Sequence, residues 1–305
     1  MNQWKHSDVA VLMGGPSNER EVSLRTGAGC AAALQSLGYQ VRCIDLTADA
    51  IRDLVNNRPD VVFLALHGTP GEDGTVQGML ELLNVPYTGS GVLASALGMD
   101  KVRSKRLFES VGVPTPVWTV ANADMASAPW LPCVVKPSLE GSSVGVSLVR
   151  DAAEWAPAVT RCLQGRGLPL VEEMIEGDEL TVGLLDGELL GVVRIVANAT
   201  FYDYDAKYQR NDTQYEVPAK LDDELHAEVV RAAQQAYRAL GCRGVARVDV
   251  MLRGRAPFVL EVNTIPGMTA SSLVPKMAAA TGMSFPELCE RILQTASTDA
   301  RSEAR

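Results

Sequence analysis

The sequence predicts a mixed α/β and α+β chain of two or three domains, and three observations carry that reading. The chain has 305 residues, whereas single hydrophobic cores stop growing near about 250–300 residues. Its first hundred residues alternate short apolar runs with helix-period segments, the pattern of a parallel sheet wrapped by helices. From Cys133 onward the pattern turns to strand pairs joined by turn residues, which reads as antiparallel.

Each element follows in order. Val9–Met13, Val41–Leu46 and Val61–Leu66 are the apolar strand runs, and Glu21–Leu37, Ala48–Asn57 and Thr75–Leu83 the helical segments between and after them. In such sheets ligands sit beyond the C-terminal strand ends, so Gly14-Gly15 and His67-Gly68 should face one crevice. A helix is expected over Lys101–Val111, ended by the Pro114/Pro116 break. Cys133–Lys136 and Val144–Val149 read as strands around the polar loop Pro137–Ser143. Leu180–Leu185 and Glu188–Val196 are turned by Asp186-Gly187, a strong hairpin dipeptide. A loop over Ala197–Pro218, a helix over Asp222–Leu240, strands at Val245–Leu252 and Phe258–Asn263, and helices after Ser272 and Phe285 complete the chain, with Arg301–Arg305 a frayed tail.

Charge and composition exclude several functions. Lys and Arg total 28 against 37 Asp and Glu, a net charge of −9, where a phosphate-tracking nucleic-acid binder would be basic. Small-molecule substrates fit better than nucleic acid. The six cysteines lie far apart without zinc or redox spacing and read as reduced core residues. Val9–Met13 is too short for a signal peptide, and no run approaches the ~20 apolar residues that span a bilayer. The expected location is cytoplasmic, away from membranes.

Gly141-Ser142-Ser143-Val144-Gly145 matches G-x-S-x-G, the nucleophile elbow, with Ser143 as nucleophile. An elbow needs a helix directly after it, and strand-like Val144–Val149 stands there instead. A glycine-serine loop with Lys136 just upstream suits closure over nucleotide phosphates. Neither G-x-x-x-x-G-K-[ST] nor G-x-G-x-x-G occurs.

The sharper signal is on the last strand pair. Glu261 and Asn263 stand two apart on one strand and Asp249 on its neighbour, so hard oxygen donors share a face, as Mg²⁺ requires. Arg247 shares that face and could neutralise phosphate or a developing oxyanion. A solvated face with ordinary ion pairs is the bland alternative. Val248, Val250, Leu260 and Val262 alternate with the polar set and place the opposite face in a core.

At this point the chain resembles the D-alanine–D-alanine ligase family of the ATP-grasp superfamily over nearly its whole length. The resemblance rests on Gly14-Gly15-Pro16-Ser17-Asn18-Glu19-Arg20-Glu21-Val22-Ser23, Ala65-Leu66-His67-Gly68, Gly71-Glu72-Asp73-Gly74 and Tyr87-Thr88-Gly89-Ser90-Gly91. It continues through Met99-Asp100-Lys101, Val135-Lys136-Pro137, Glu140 to Gly145, Phe201 to Tyr204 with Lys207-Tyr208, Arg247 to Val250, and Glu261 to Thr269. Pro16, Asn18 and Ile265 depart from the commoner residues without touching the contact positions.

The resemblance implies an ATP-grasp fold with an N-terminal Rossmann-like parallel-sheet domain, divided as 1–100, 101–185 and 186–305. ATP would lie between the central and C-terminal domains. Lys101 and Lys136 would meet its phosphates, Glu172, Ile175, Met251 and Leu260 would enclose adenine, and Glu179 would bind ribose. Asp249, Glu261 and Asn263 would hold two Mg²⁺, with Mn²⁺ as a substitute, and Lys207 would lie near the γ-phosphate. Two D-alanine molecules would be the partners. Glu19 would take the first one's ammonium, in a hydrogen-bonded cluster with Ser142 and Tyr208. Arg247 and the Gly267 amide would bind the oxyanion, and Ser272 and Leu273 the second carboxylate. A homodimer is the family expectation.

Chemistry asks for the same parts. A carboxylate and an amine do not condense in water without activation, so ATP makes an acyl phosphate that the amine then attacks. His67, Tyr202, Tyr204, Glu72 and Asp73 stay outside the catalytic set: His67 reads equally as a satisfied strand-end histidine, the tyrosines as loop packing, and the acids as caps for the helix near Thr75. Two competing readings are another ATP-grasp carboxylate–amine ligase with a different acceptor, which Glu19, Tyr208 and Ser272 would discriminate, and a nucleotide-binding regulatory module without turnover. A sensor has no need of metal ligands and an oxyanion clamp together.

Overall fold

The computed structural model describes residues 3–122, 125–196 and 214–302. It opens with β1 (Asp8–Met13), α1 (Arg20–Ser36), β2 (Gln40–Asp45), α2 (Ala48–Asn56) and β3 (Val61–Leu64). The three strands form a parallel sheet in the order β2-β1-β3. Both faces of β1 are covered, as its unbroken apolar run demands. Val9 and Val11 join Phe63 and Leu34 in one core, while Ala10 and Leu12 join Val62, Leu54 and Leu80 in another.

Next come α3 (Thr75–Leu82), α4 (Val92–Met99) and α5 (Lys101–Ser110). Asp100 caps α5 by accepting from the Arg103 amide at 3.0 Å. Lys101, Lys105 and Phe108 recur at helical spacing and are all buried, so one stripe of α5 carries two lysines into the molecule.

A four-stranded antiparallel sheet follows, built from β4 (Trp118–Val120), β5 (Cys133–Pro137), β6 (Ser147–Val149) and β7 (Pro169–Glu173) in the order β4-β7-β5-β6, with α6 (Trp155–Cys162) packed on it. The strand expected over Val144–Val149 is shortened to Ser147–Val149. Ser142 and Ser143 adopt φ of 50° and 60° and Gly145 72°, and left-handed residues cannot continue a ladder. No helix follows the loop, so the elbow reading of Ser143 fails.

β8 (Asp178–Leu185), β9 (Glu188–Val196), β10 (Gln214–Glu216), α7 (Asp223–Ala239), β11 (Val245–Arg253) and β12 (Ala256–Asn263) form the last layer, a five-stranded antiparallel sheet ordered β10-β9-β8-β11-β12. Asp186 and Gly187 turn the β8–β9 hairpin with φ of 49° and 80°, the sense that matches strand twist. β8 pairs with β9 as the predicted hairpin, so this sheet begins at Asp178 and the expected boundary between 185 and 186 falls at its turn. β10 also forms inside the segment read as an unbroken loop.

α7 buries Leu225, Val229, Ala233 and Ala236 against Val182, Val248, Val250 and Val262. The alternation predicted on β11 and β12 holds for Val248, Val250 and Val262, which face the core, but a β-bulge after Asp249 leaves Leu260 unpaired on the cavity side and puts Val259 in the core in its place. α8 (Leu273–Ala280), α9 (Phe285–Gln294) and α10 (Asp299–Ser302) close the chain. Leu288 and Ile292 of α9 enter the same core as α1, which ties the C-terminus to the N-terminal sheet.

Candidate active site

Two adjoining cavities lie between these layers. The larger, about 1000 Å³, is lined by Glu19, Ser142, Arg247, Asp249, Glu261, Asn263, Gly267, Ser272 and Leu273. The smaller, about 440 Å³, is lined by Lys136, Glu172, Ile175, Glu179, Met251 and Leu260. Lys101, Ser142, Asp249 and Glu261 line both and mark the junction.

On the larger side, Glu19 sits at the N-terminus of α1. Its amide donates to Ser17 Oγ at 3.2 Å, and Ser17 Oγ donates to the His67 carbonyl at 2.6 Å. The strand end at His67 thereby fixes the helix start at Glu19. Gly68, at φ 66°, lets the carboxylate approach: a Cβ there would stand 3.0 Å from Glu19 Oε2. Ser142 Oγ donates to Glu19 Oε1, so the expected pair forms between the loop after β5 and the start of α1. Tyr208, its third member, and Lys207, Tyr202 and Tyr204 lie outside the described residues.

The loop that brings Ser142 to Glu19 gives a direct prediction. Ser142→Ala removes a hydrogen bond to a charged group, a contact of about 1.5–3 kcal/mol, and should lower kcat/KM for the amino-acid substrate that the resemblance implies about 10–100-fold. ATP affinity should stay near wild type. Steady-state kinetics in each substrate check it, and an equal loss in nucleotide affinity would contradict it.

His67 uses both ring nitrogens: Nε2 lies 3.0 Å from Thr26 Oγ1 and Nδ1 3.6 Å from Glu72 Oε1. Glu72 thus partners His67, while Asp73 Oδ1 accepts from the Thr75 amide at 3.0 Å at the start of α3.

The strand pair places its polar set as predicted. Asp249 stands opposite Glu261 and Arg247 opposite Asn263 in register. Arg247 grips Asp249 with two bonds of 2.9 Å, and Thr181, the register partner of Asp249 on β8, donates to its Oδ1 at 2.7 Å. Glu261 Oε2 lies 3.2 Å from Lys101 Nζ, which donates to the Glu140 carbonyl at 2.7 Å. Asn263 Oδ1 accepts from the Ile265 amide at 3.2 Å. Two carboxylates and an amide oxygen around one junction are a donor set for a hard divalent cation.

At the far end, a Cβ on Gly267 would stand 2.9 Å from Ser272 Oγ. Ser272 Oγ accepts from the Thr269 amide at 3.1 Å, so it does not cap α8. The first amides of that helix lack intrahelical acceptors, and they suit a carboxylate.

The smaller cavity holds a buried ion cluster. Glu172 is sandwiched between Lys105 Nζ at 2.5 Å and Lys136 Nζ at 2.6 Å. Burial alone would push the Glu172 carboxyl up, but the two ammonium groups outweigh it and hold it below the usual range. Burial also opposes the charge on Lys136, and Glu172 and then Glu261 overcome it and raise its pKa. For Lys105 burial wins, and its pKa is lowered. The resemblance assigns Glu172 to adenine, whereas here its carboxylate is taken by two lysines.

Lys105 and Thr181 are functional residues with only weak sequence signals. Thr181 has a partial signal, since it sits among apolar residues on the face of β8 that register places against Asp249. For Lys105 the signal was its spacing of four from Lys101 and three from Phe108 on a core stripe.

A family model described as D-ala D-ala ligase C-terminus matches residues 107–294, and one described as D-ala D-ala ligase N-terminus matches 50–90. The chain is 50% identical to the D-alanine–D-alanine ligase of Anaeromyxobacter dehalogenans strain 2CP-1 over 98% of this chain and 100% of that one. It is 45% identical to the D-alanine–D-alanine ligase of Moorella thermoacetica, over 94% of this chain and 98% of that one. A crystal structure of D-alanine–D-alanine ligase from Bacillus anthracis complexed with ATP superposes with a TM-score of 0.85 at 36% identity, covering 98% of this chain and 100% of the other. Identity of this order along the whole length, on an ATP-grasp architecture with the strand-pair site in register, makes this chain a member of the D-alanine–D-alanine ligase family.

Proposed function

We propose that the chain joins two D-alanines into D-alanyl-D-alanine at the expense of ATP, for peptidoglycan precursor synthesis. The junction of the two cavities carries this reading: Lys101, Ser142, Asp249 and Glu261 line both, so a nucleotide in the smaller would meet an amino acid in the larger at its phosphate end.

In the nucleotide chamber, Ile175, Met251 and Leu260 enclose the adenine, Glu179 takes the ribose, and Lys101 and Lys136 meet the phosphates. Lys207 approaches the γ-phosphate. Asp249, Glu261 and Asn263 would hold two Mg²⁺, or Mn²⁺, which when bound supply charge neutralisation for phosphoryl transfer.

In the substrate chamber, Glu19 receives the ammonium of the first D-alanine, with Ser142 and Tyr208 fixing the carboxylate of Glu19. A carboxylate oxygen of that D-alanine displaces ADP from the γ-phosphorus and forms an acyl phosphate. The second D-alanine, its carboxylate held by Ser272 and Leu273, attacks the acyl carbon with its neutral amine. Arg247 and the Gly267 N–H stabilise the resulting oxyanion before phosphate departs.

Among the described residues no helix is long and apolar enough to cross a membrane, and the six cysteines are free. Reduced thiols and a need for ATP support a cytoplasmic location. Homodimer formation belongs to the same reading, and exposed Leu82 and Leu93 on adjacent α3 and α4 offer apolar surface for it.

Phosphate release tests the reading, with ATP alone, then with D-alanine, then with D-alanine and D-lactate together. Release should depend on D-alanine, and the mixed reaction at neutral pH should yield D-alanyl-D-alanine. D-alanyl-D-lactate as the main product would refute the acceptor assignment, and Tyr208→Phe should weaken the preference for the amine.

A further inference from the structure

The Lys105–Glu172–Lys136 cluster asks for a function that neither the phosphate nor the adenine contacts supply. Lys105 is fully buried, and a buried ammonium is costly unless paired and hydrogen-bonded. It donates to Thr115 Oγ1 at 2.6 Å, and Thr115 Oγ1 donates to the Val259 carbonyl at 2.8 Å, so its position is anchored to β12. Glu172 cannot swing away, because its side chain is 3% exposed and wedged between the lysines. Lys136 differs from Lys105 in one respect: it lines the nucleotide cavity, and Lys105 does not. One carboxylate therefore holds two ammonium groups, of which a single one faces the place where phosphates would arrive.

We infer that Lys105 is a positioning residue that keeps Glu172 neutralised when Lys136 transfers from Glu172 to the nucleotide phosphates. The inference rests on the nucleotide reading given above. Without Lys105, moving Lys136 to a phosphate would strand a buried carboxylate close to a polyanion. Glu172 would then compete with the phosphates for the same lysine. With Lys105 in place the carboxylate keeps one partner throughout, and Lys136 is released at low cost.

A mutant cycle on the full chain tests this, with ATP affinity measured in the presence of magnesium and without D-alanine. Lys105→Met should weaken ATP binding about tenfold or more when Glu172 is present, and less than about twofold in the Glu172→Gln background, where no charge competes for Lys136. At saturating ATP, KM for D-alanine should not move. An equal loss in both backgrounds, or no loss in the first, would overturn the role. A purely architectural lysine would show the equal loss.

Should Lys105→Met not fold, the wild-type crystal structure with a non-hydrolysable ATP analogue decides. Lys136 Nζ should then contact a phosphate while Lys105 stays on Glu172. Lys136 remaining on Glu172, or Lys105 itself on a phosphate, overturns the inference. Because D-alanine is absent from the binding measurement, a chain that binds ATP but makes no dipeptide defeats the ligation reading alone.

Discussion

Turnover of the Glu261→Gln protein at ordinary magnesium should fall at least about 100-fold, with its thermal stability unchanged. Glu261 is half-exposed and sits at the junction of the two cavities, opposite Asp249 in register and 3.2 Å from Lys101. Glutamine keeps the shape and one acceptor oxygen but removes the charge that a carboxylate contributes to a divalent cation. Raising magnesium should recover part of the rate. Kinetics across a magnesium titration, with a melting curve to verify folding, check the result. Wild-type turnover by this variant at ordinary magnesium would remove the metal assignment.

Arg247→Met should cost about 100–1000-fold in kcat, the scale of losing one preorganised oxyanion donor. Two bonds of 2.9 Å hold the guanidinium to Asp249 and aim it along the face of β11 shared by the acidic set. The same fork geometry predicts that Arg247→Lys will not rescue the rate, since an ammonium cannot reproduce a bidentate grip. ATP affinity should change far less than kcat. Single-turnover rates and nucleotide binding separate the two effects, and near-wild-type kcat in Arg247→Lys would contradict the oxyanion role.

The legible part of the site was the part written in local periodicity. On β11 and β12 a period of two separates valines from Arg247, Asp249, Glu261 and Asn263, and burial of the valines against α7 fixes which way the polar set points. The parallel sheet was legible for the same reason, because β1 and β3 are apolar on both faces. The Ser142–Glu19 contact spans 123 residues and came from resemblance, not from spacing.

What escaped depended on tertiary partners. β4 and β10 have three residues each, too few for a periodic signal, and their pairing is set by the neighbouring strand. The division at 185/186 fell inside a hairpin whose two strands share a sheet. The spacing of Lys105 from Phe108 puts it on a buried stripe, but its partner Glu172 lies sixty-seven residues later. A buried charge is recognisable only with its counter-charge, and sequence spacing does not supply that pair.

The central claim is that ATP activates the carboxylate of the first D-alanine as an acyl phosphate. Turnover with D-alanine labelled by oxygen-18 in both carboxylate oxygens tests it directly by mass analysis of the released phosphate. The account predicts one labelled oxygen in each phosphate formed, together with stoichiometric ADP and D-alanyl-D-alanine. Phosphate released without label, in step with dipeptide, would contradict it.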